Sequence, residues 1–253
     1  MLIPAATVLP IRDGADGIEV FMVKRYQEAD FASGALVFPG GKLDPADGLD
    51  AVPEVSDGLE GLTEEEAAFK VCAIRETFEE SGILLARAKG ATALLGHERC
   101  LDLRARHGAD LQGGAITLGE IARREEITLA LDALTPSAHW ITPAIFAKRF
   151  DTWFFLVPAP PGQQASHDEV ESVDSLWVSP DKILAEAAAG IWRIVFATRL
   201  NLKQLGESET VVAAIEAART RRIMAIQPTV EKVENGRIFR IPEEAGYGIV
   251  EIV

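Results

Sequence analysis

The chain has 253 residues, of which 48% are hydrophobic and 25% charged, and carries a net charge of −14. That is enough apolar material for a core and argues against global disorder. The acidic balance argues against a nucleic-acid groove or an anionic membrane surface. Two cysteines without a CxxC spacing argue against a disulfide framework or a thiolate zinc site and fit a reducing, cytoplasmic setting.

The opening MLIPAATVLPIRDG lacks a basic stretch followed by a long apolar run, so no signal peptide is expected. No apolar run reaches the roughly 18 residues that a membrane span needs. Residues 5–10 and 18–25 are apolar and β-branched around the turn-rich RDGADG, and predict a hairpin. ALVFPGGKLD follows as a short strand broken by Pro39, Gly40 and Gly41. The next stretch, 45–62, is rich in Gly, Pro and Asp without a steady period and reads as a long loop.

Thr63 opens a helix, because Thr63 and Glu66 form a capping box. Ala67, Val71, Ile74 and Phe78 recur at helical spacing as an apolar stripe, and Gly82 stands where a terminating glycine is expected. Residues 90–136 read as mostly helical, with a second capping box at Thr117 and Glu120. Strands return at HWIT, DTWFFLVP and VDSLWVS. Ser179 and Pro180 then start another helix, and two more follow at roughly 196–205 and 208–223. Asn235 and Gly236 signal a closing hairpin. Strands and helices mix without regular βαβ alternation, which predicts an α+β fold with a mixed β-sheet.

RETFEESG, from Arg75 to Gly82, is the segment that carries chemistry. Glu76 and Glu80 lie one turn apart on a helix face, with Glu79 beside both. Three acids at a helix C-terminus repel one another and oppose the helix dipole, so stability alone does not account for them. A hard divalent cation does, since Mg²⁺ takes oxygen ligands and leaves room for a substrate phosphate. Without the cation, at least one carboxyl should keep its proton to a higher pH.

Together with FPGG at 38–41, this segment resembles the Nudix hydrolase box: Gly, five residues, Glu, seven residues, then REUxEExGU with U bulky and apolar. Thr77 is weak for its apolar slot. The interval from Gly41 to Arg75 is wider than the family's, and counting back from Arg75 puts Ala67 where the box glutamate is expected. The segments CAIRETFEESGILLA, HWITP, RFDTWFFL and LWVSP resemble the long branch grouped with peroxisomal and bacterial coenzyme A diphosphatases. The resemblance implies a Nudix-type mixed sheet sandwiched between helices, in a single domain over 1–253. Insertions are expected at about 45–62 and 90–136, and a C-terminal extension of helices and a hairpin at about 196–253.

It further implies Mg²⁺ or Mn²⁺ as cofactor, held by Glu76, Glu79, Glu80 and the Gly40 carbonyl, with Glu76 alternatively orienting the attacking water. Arg75 is expected to tie helix to loop, and Glu169, in the acidic stretch with Asp168 and Glu171, to be a further catalytic acid. Lys24, Arg25 and Lys42 are candidate contacts for substrate phosphates. The implied substrate is a nucleoside diphosphate derivative, first of all coenzyme A or an acyl-CoA. ADP-ribose, sugar nucleotides and dinucleotide polyphosphates are the alternatives, and a non-catalytic nucleotide sensor is the reading from another class. Neither nucleic acid nor membrane is expected as a partner, and a homodimer is compatible with the chain but not forced by any residue pattern. Cys72 and the four tryptophans read as packing residues, with one tryptophan stacking on an adenine as the alternative, and the histidines are too scattered for a metal triad.

Overall fold

The computed structural model describes residues 1–25, 34–163, 172–234, 236–247 and 250–252. Strands β1 (Leu2–Gly14) and β2 (Gly17–Arg25) form the expected hairpin, with Gly14 opposite Gly17. FPGG does not simply break a strand. It steps the chain from β3 (Leu36–Val37), paired with β2, to β4 (Gly40–Lys42), paired with β1. The proline costs no ladder bond at this step, and its carbonyl accepts from Val8.

The stretch 45–62 is not a structureless loop. It holds α1 (Pro45–Asp50) and β5 (Ser56–Asp57). Asp44 caps α1, and Asp47 returns the bond to the Asp44 amide, with Pro45 in the first turn. Helix α2 (Glu64–Ser81) starts at the Thr63–Glu66 box, as its sequence predicts. It leads to β6 (Ala86–Ala88), α3 (His97–Gln112) and α4 (Leu118–Glu125), the last capped by Thr117 and Glu120. The mostly helical reading of 90–136 missed β7 (Ile127–Ala130), a four-residue strand buried throughout. β7 pairs parallel with β5 and antiparallel with β6, so the two expected insertions meet in one small sheet.

The main sheet is completed by β8 (Thr135–Ile141), β9 (Arg149–Pro158) and β10 (Ser172–Val178), and after the helices by β11 (Ala225–Ile226). Its order is β10-β2-β1-β9-β8-β11, with β1 and β9 parallel over ten positions and most other pairs antiparallel. Period-two alternation sends neighbouring side chains to opposite faces. Val8, Phe155 and Val157 pack with α2, α3 and α4. Leu9, Phe154 and Leu156 pack with α5 (Pro180–Ala188), α6 (Phe196–Leu205) and α7 (Val211–Thr220).

Each large apolar side chain so enclosed contributes roughly 1.5–3 kcal/mol. Leu200, Leu202, Leu205 and Ile215 belong to the second cluster, so the helices expected as a C-terminal extension form one of the two layers that sandwich the sheet. A separate three-stranded sheet follows, from β12 (Thr229–Val233), β13 (Gly236–Arg240) and β14 (Val250–Ile252). β12 and β13 form the closing hairpin, Val233 opposite Gly236. No helix among the described residues is long and apolar enough to cross a membrane.

Candidate active site

Packing fixes the carboxylate helix before its acids are considered. Ala67, Val71, Ile74 and Phe78 are all buried against the sheet, and Gly82 ends α2 in the left-handed conformation with its amide on Phe78 O. Glu76, Glu79 and Glu80 then occupy the last two turns, yet their side chains are only 13%, 11% and 4% exposed. They are enclosed acids and not a solvated face.

What encloses them is the FPGG step. The Gly40 amide donates to Glu80 Oε2 at 2.9 Å. A Cβ on Gly40 would stand 2.4 Å from Ala6 O, and a Cβ on Gly41 2.4 Å from the Glu76 carboxyl carbon. Gly40 excludes any side chain because β1 backbone lies beneath it, whereas a side chain at Gly41 would have to displace the Glu76 carboxylate above it.

Arg75 gathers the site. Its Nε and Nη2 reach Asp47 Oδ1 and Oδ2 at 2.8 and 3.0 Å, and Nη2 also donates to Lys42 O at 2.9 Å. Nη1 donates to Glu76 at 2.8 Å and to Glu79 at 3.1 Å, the i,i+4 pair among them. Burial works against this charge. The Asp47 hydrogen bonds and the neighbouring acids outweigh it and hold the guanidinium protonated above its ordinary value.

Asp47 is the residue that sequence reasoning missed. Counted forward from Gly41, five residues lead to Asp47, so a box acid is present and the extra chain lies between it and Arg75. Ala67, where the backward count had placed a missing glutamate, is a core residue. The signal was available in DPAD, a capping pattern with proline in the first turn.

The electrostatics reflect this enclosure. Burial, with Glu76 nearby, pushes the Glu79 carboxyl up to about 7 despite the opposing Arg75. Arg104 of α3 donates to the Glu79 carbonyl at 3.3 Å, so a cation does stand at the C-terminus of α2, supplied by another helix. Among the described residues no three acidic, histidine or cysteine side chains converge as a ready-made metal cage. Arg75 draws Glu76 and Glu79 to itself, while Glu80 is turned to the Gly40 amide. The donors are all oxygen, which suits a hard divalent cation.

The other expected residues divide. Arg25 comes to 4.0 Å from Glu80. Its neighbour Lys24 takes the parity of Met22 and reaches the other face of the sheet, with its ammonium over the Trp192 ring at 5.4 Å. Lys42 meets the site through its carbonyl, and the residue is otherwise exposed. Glu169, with Asp168, Glu171 and His167, lies outside the described residues. Cys72 is buried, with its thiol 3.4 Å from Lys42 O. Trp140 is a core residue, Trp177 packs on Phe21, and Trp153 stacks on His139, which pairs with Asp151.

The chain is similar to known proteins. A family model described as the NUDT19 Nudix domain matches residues 53–194. The acyl-coenzyme A diphosphatase NUDT19 of Xenopus laevis is 26% identical over 206 residues, covering 66% of this chain and 54% of that protein. Its Gallus gallus counterpart is 30% identical over 215 residues, covering 66% of this chain and 55% of that protein. The chain therefore spans about half the length of these curated relatives. The crystal structure of a NUDIX hydrolase from Alicyclobacillus acidocaldarius is similar with a TM-score of 0.68 and 27% identity, over 85% of this chain and 96% of that one. Because the family match takes in more than half of the chain and all of α2, the chain belongs to the Nudix family, in the group described by the NUDT19 Nudix domain.

Proposed function

We propose that the protein is a divalent-cation-dependent diphosphatase that hydrolyses the diphosphate linkage of coenzyme A or an acyl-CoA. The observation that carries this reading is the enclosed set of Glu76, Glu79 and Glu80 against Gly40 and Gly41. The names of the curated relatives support the choice of substrate. Glu76, Glu79, Glu80 and the Gly40 carbonyl would hold Mg²⁺ or Mn²⁺. When bound, the cation neutralises charge on the diphosphate and lowers the pKa of water.

The chain's own residues do the rest. Arg75 keeps Glu76 and Glu79 at a fixed spacing, and Asp47 fixes Arg75. Arg25, beside Glu80, would meet a phosphate oxygen, whereas Lys24 faces away from the carboxylates. Glu76 or Glu169 takes the proton of the attacking water. Water adds to phosphorus and the bridging oxygen leaves, giving 3′,5′-ADP and a phosphopantetheine that keeps any acyl group. The buried, free Cys72 and Cys100 support a reducing, cytoplasmic setting.

A panel of coenzyme A, acyl-CoAs, ADP-ribose, sugar nucleotides and dinucleotide polyphosphates, each with Mg²⁺ or Mn²⁺ and products read by mass, tests the proposal. Release of 3′,5′-ADP supports it, while turnover confined to sugar nucleotides refutes the substrate. Nucleotide binding without turnover refutes the enzyme. Glu80→Gln should lower kcat, and wild-type activity in that variant would overturn the metal assignment.

A further inference from the structure

Helix α1 buries two acids three residues apart, Asp47 at 1% and Asp50 at 4% exposure. Two enclosed carboxylates in one six-residue helix are costly unless each is fully engaged. Asp47 holds Arg75. Asp50 has different partners: its Oδ2 accepts from the Gly119 amide at 2.7 Å, and its Oδ1 from the Thr117 hydroxyl at 3.4 Å. It thus takes the first turn of α4, where backbone amides lack helical partners.

The fit is close, since a Cβ on Gly119 would stand 1.9 Å from Asp50 Oδ1. The Asp50 carbonyl also accepts from the Ser56 hydroxyl at 3.0 Å, next to the β5–β7 pairing where Leu129 N meets Val55 O at 2.7 Å. Both insertions are therefore joined on one side of the site.

We infer that Asp50 is a positioning residue: by anchoring α1 to α4 it holds Asp47 under Arg75, and so sets the spacing of Glu76 and Glu79. This rests on the diphosphatase reading for its catalytic consequence, but not for its structural one. The helical insert is then a brace for the catalytic helix, and the chain of contacts runs from the Gly119 amide through Asp50, α1, Asp47 and Arg75 to the two glutamates. Without the Asp50 side chain α1 keeps its Asp47 contacts and the Ser56 bond to the Asp50 carbonyl but loses its link to the first turn of α4, and a shift of α1 there would carry Asp47 and Arg75 with it.

Three variants test the brace in the full-length protein. Asp50→Ala removes the anchor, and Gly119→Ala displaces the carboxylate without touching an acid. Asp50→Asn keeps it, with its amide oxygen on Gly119 N and its NH₂ on the Thr117 hydroxyl. The first readout is the ¹⁵N–¹H signal of Arg75 Nε, assigned by its loss in Arg75→Lys and needing neither substrate nor metal. It should be displaced or broadened in Asp50→Ala and Gly119→Ala and restored in Asp50→Asn.

The second readout is kinetic. kcat should fall roughly 10- to 100-fold in Asp50→Ala and Gly119→Ala, the range for residues that orient ligands from behind, with KM little changed and Asp50→Asn near wild type. An unchanged Arg75 signal in Asp50→Ala and Gly119→Ala overturns the brace whatever the enzyme does. A lost signal with wild-type kcat overturns its catalytic role. If the wild type hydrolyses nothing, the diphosphatase reading fails while the Arg75 signal still decides the brace.

Discussion

Glu79 should make the metal-free protein less stable as pH rises, and the size of the effect follows from its surroundings. Burial raises its carboxyl from an ordinary 4.5 to about 7. In the unfolded chain the group titrates near 4.5. Between the two values the folded state therefore holds a proton that the unfolded state has released, and stability falls with pH. The contribution is fully present below about 4.5 and lost above about 7, and amounts to roughly 3 kcal/mol for a side chain this enclosed.

Urea unfolding in EDTA from pH 4.5 to 8.5 measures it. Other acids titrate too, notably Asp50, whose carboxyl burial also raises, so the quantity to read is the difference between wild type and Glu79→Gln. That neutral isostere can still accept from Arg75. The variant should match wild type at low pH and exceed it by up to about 3 kcal/mol at pH 8. Added Mg²⁺ or Mn²⁺ should reverse the order, stabilising wild type more at pH 8 than at pH 5.5 and leaving Glu79→Gln nearly unmoved. Parallel pH curves for the two proteins in EDTA would refute the reasoning, because Glu79 would then be an ordinary solvated acid.

Gly41→Ala puts a methyl group into the Glu76 carboxylate, so kcat should fall by about 100-fold or more, with circular dichroism unchanged. Asp47→Ala strands Arg75 with its other partners, and denaturant titration should show a loss of about 3–5 kcal/mol. Asp47→Glu, which keeps the charge, should recover most of that stability. Leu200→Ala, in the layer opposite the site, should cost about 2–5 kcal/mol in the same titration while kcat at 25 °C stays near wild type.

The catalytic helix was legible because its signals are local. Thr63 with Glu66 and the terminating Gly82 bound it, and the apolar stripe orients it, so its fold could be read within one window of sequence. Asp47 was not read, because a backward count assumed that the extra residues came before the box acid. The forward count from Gly41, with DPAD, points to Asp47 instead, and the Arg75 contact bears this out. β7 was lost because four buried residues carry no alternation to separate them from the end of a helix. Lys24 and Arg25 could have been parted in advance: adjacent residues on a strand face opposite ways, so both could not serve one site. Arg104 and Asp50 act across long sequence separations, and no pattern within α3 or α1 marks their partners.

The parallel pairing of β1 with β9 also has a consequence for how the molecule assembles. Leu2 lies opposite Arg149 and Ile11 opposite Pro158, so the longest ladder in the sheet closes a loop that contains the whole catalytic helix. Loop-closure entropy must be met before such a ladder is rewarded, whereas the β1–β2 hairpin and α2 can form locally. Gly40 and Gly41 reach the glutamates from β4, a three-residue strand whose sheet partner is β1. The helix and the glycines that receive it both lie within the loop that this ladder closes, so the β1–β9 pairing ties together the two ends of the segment that carries the site.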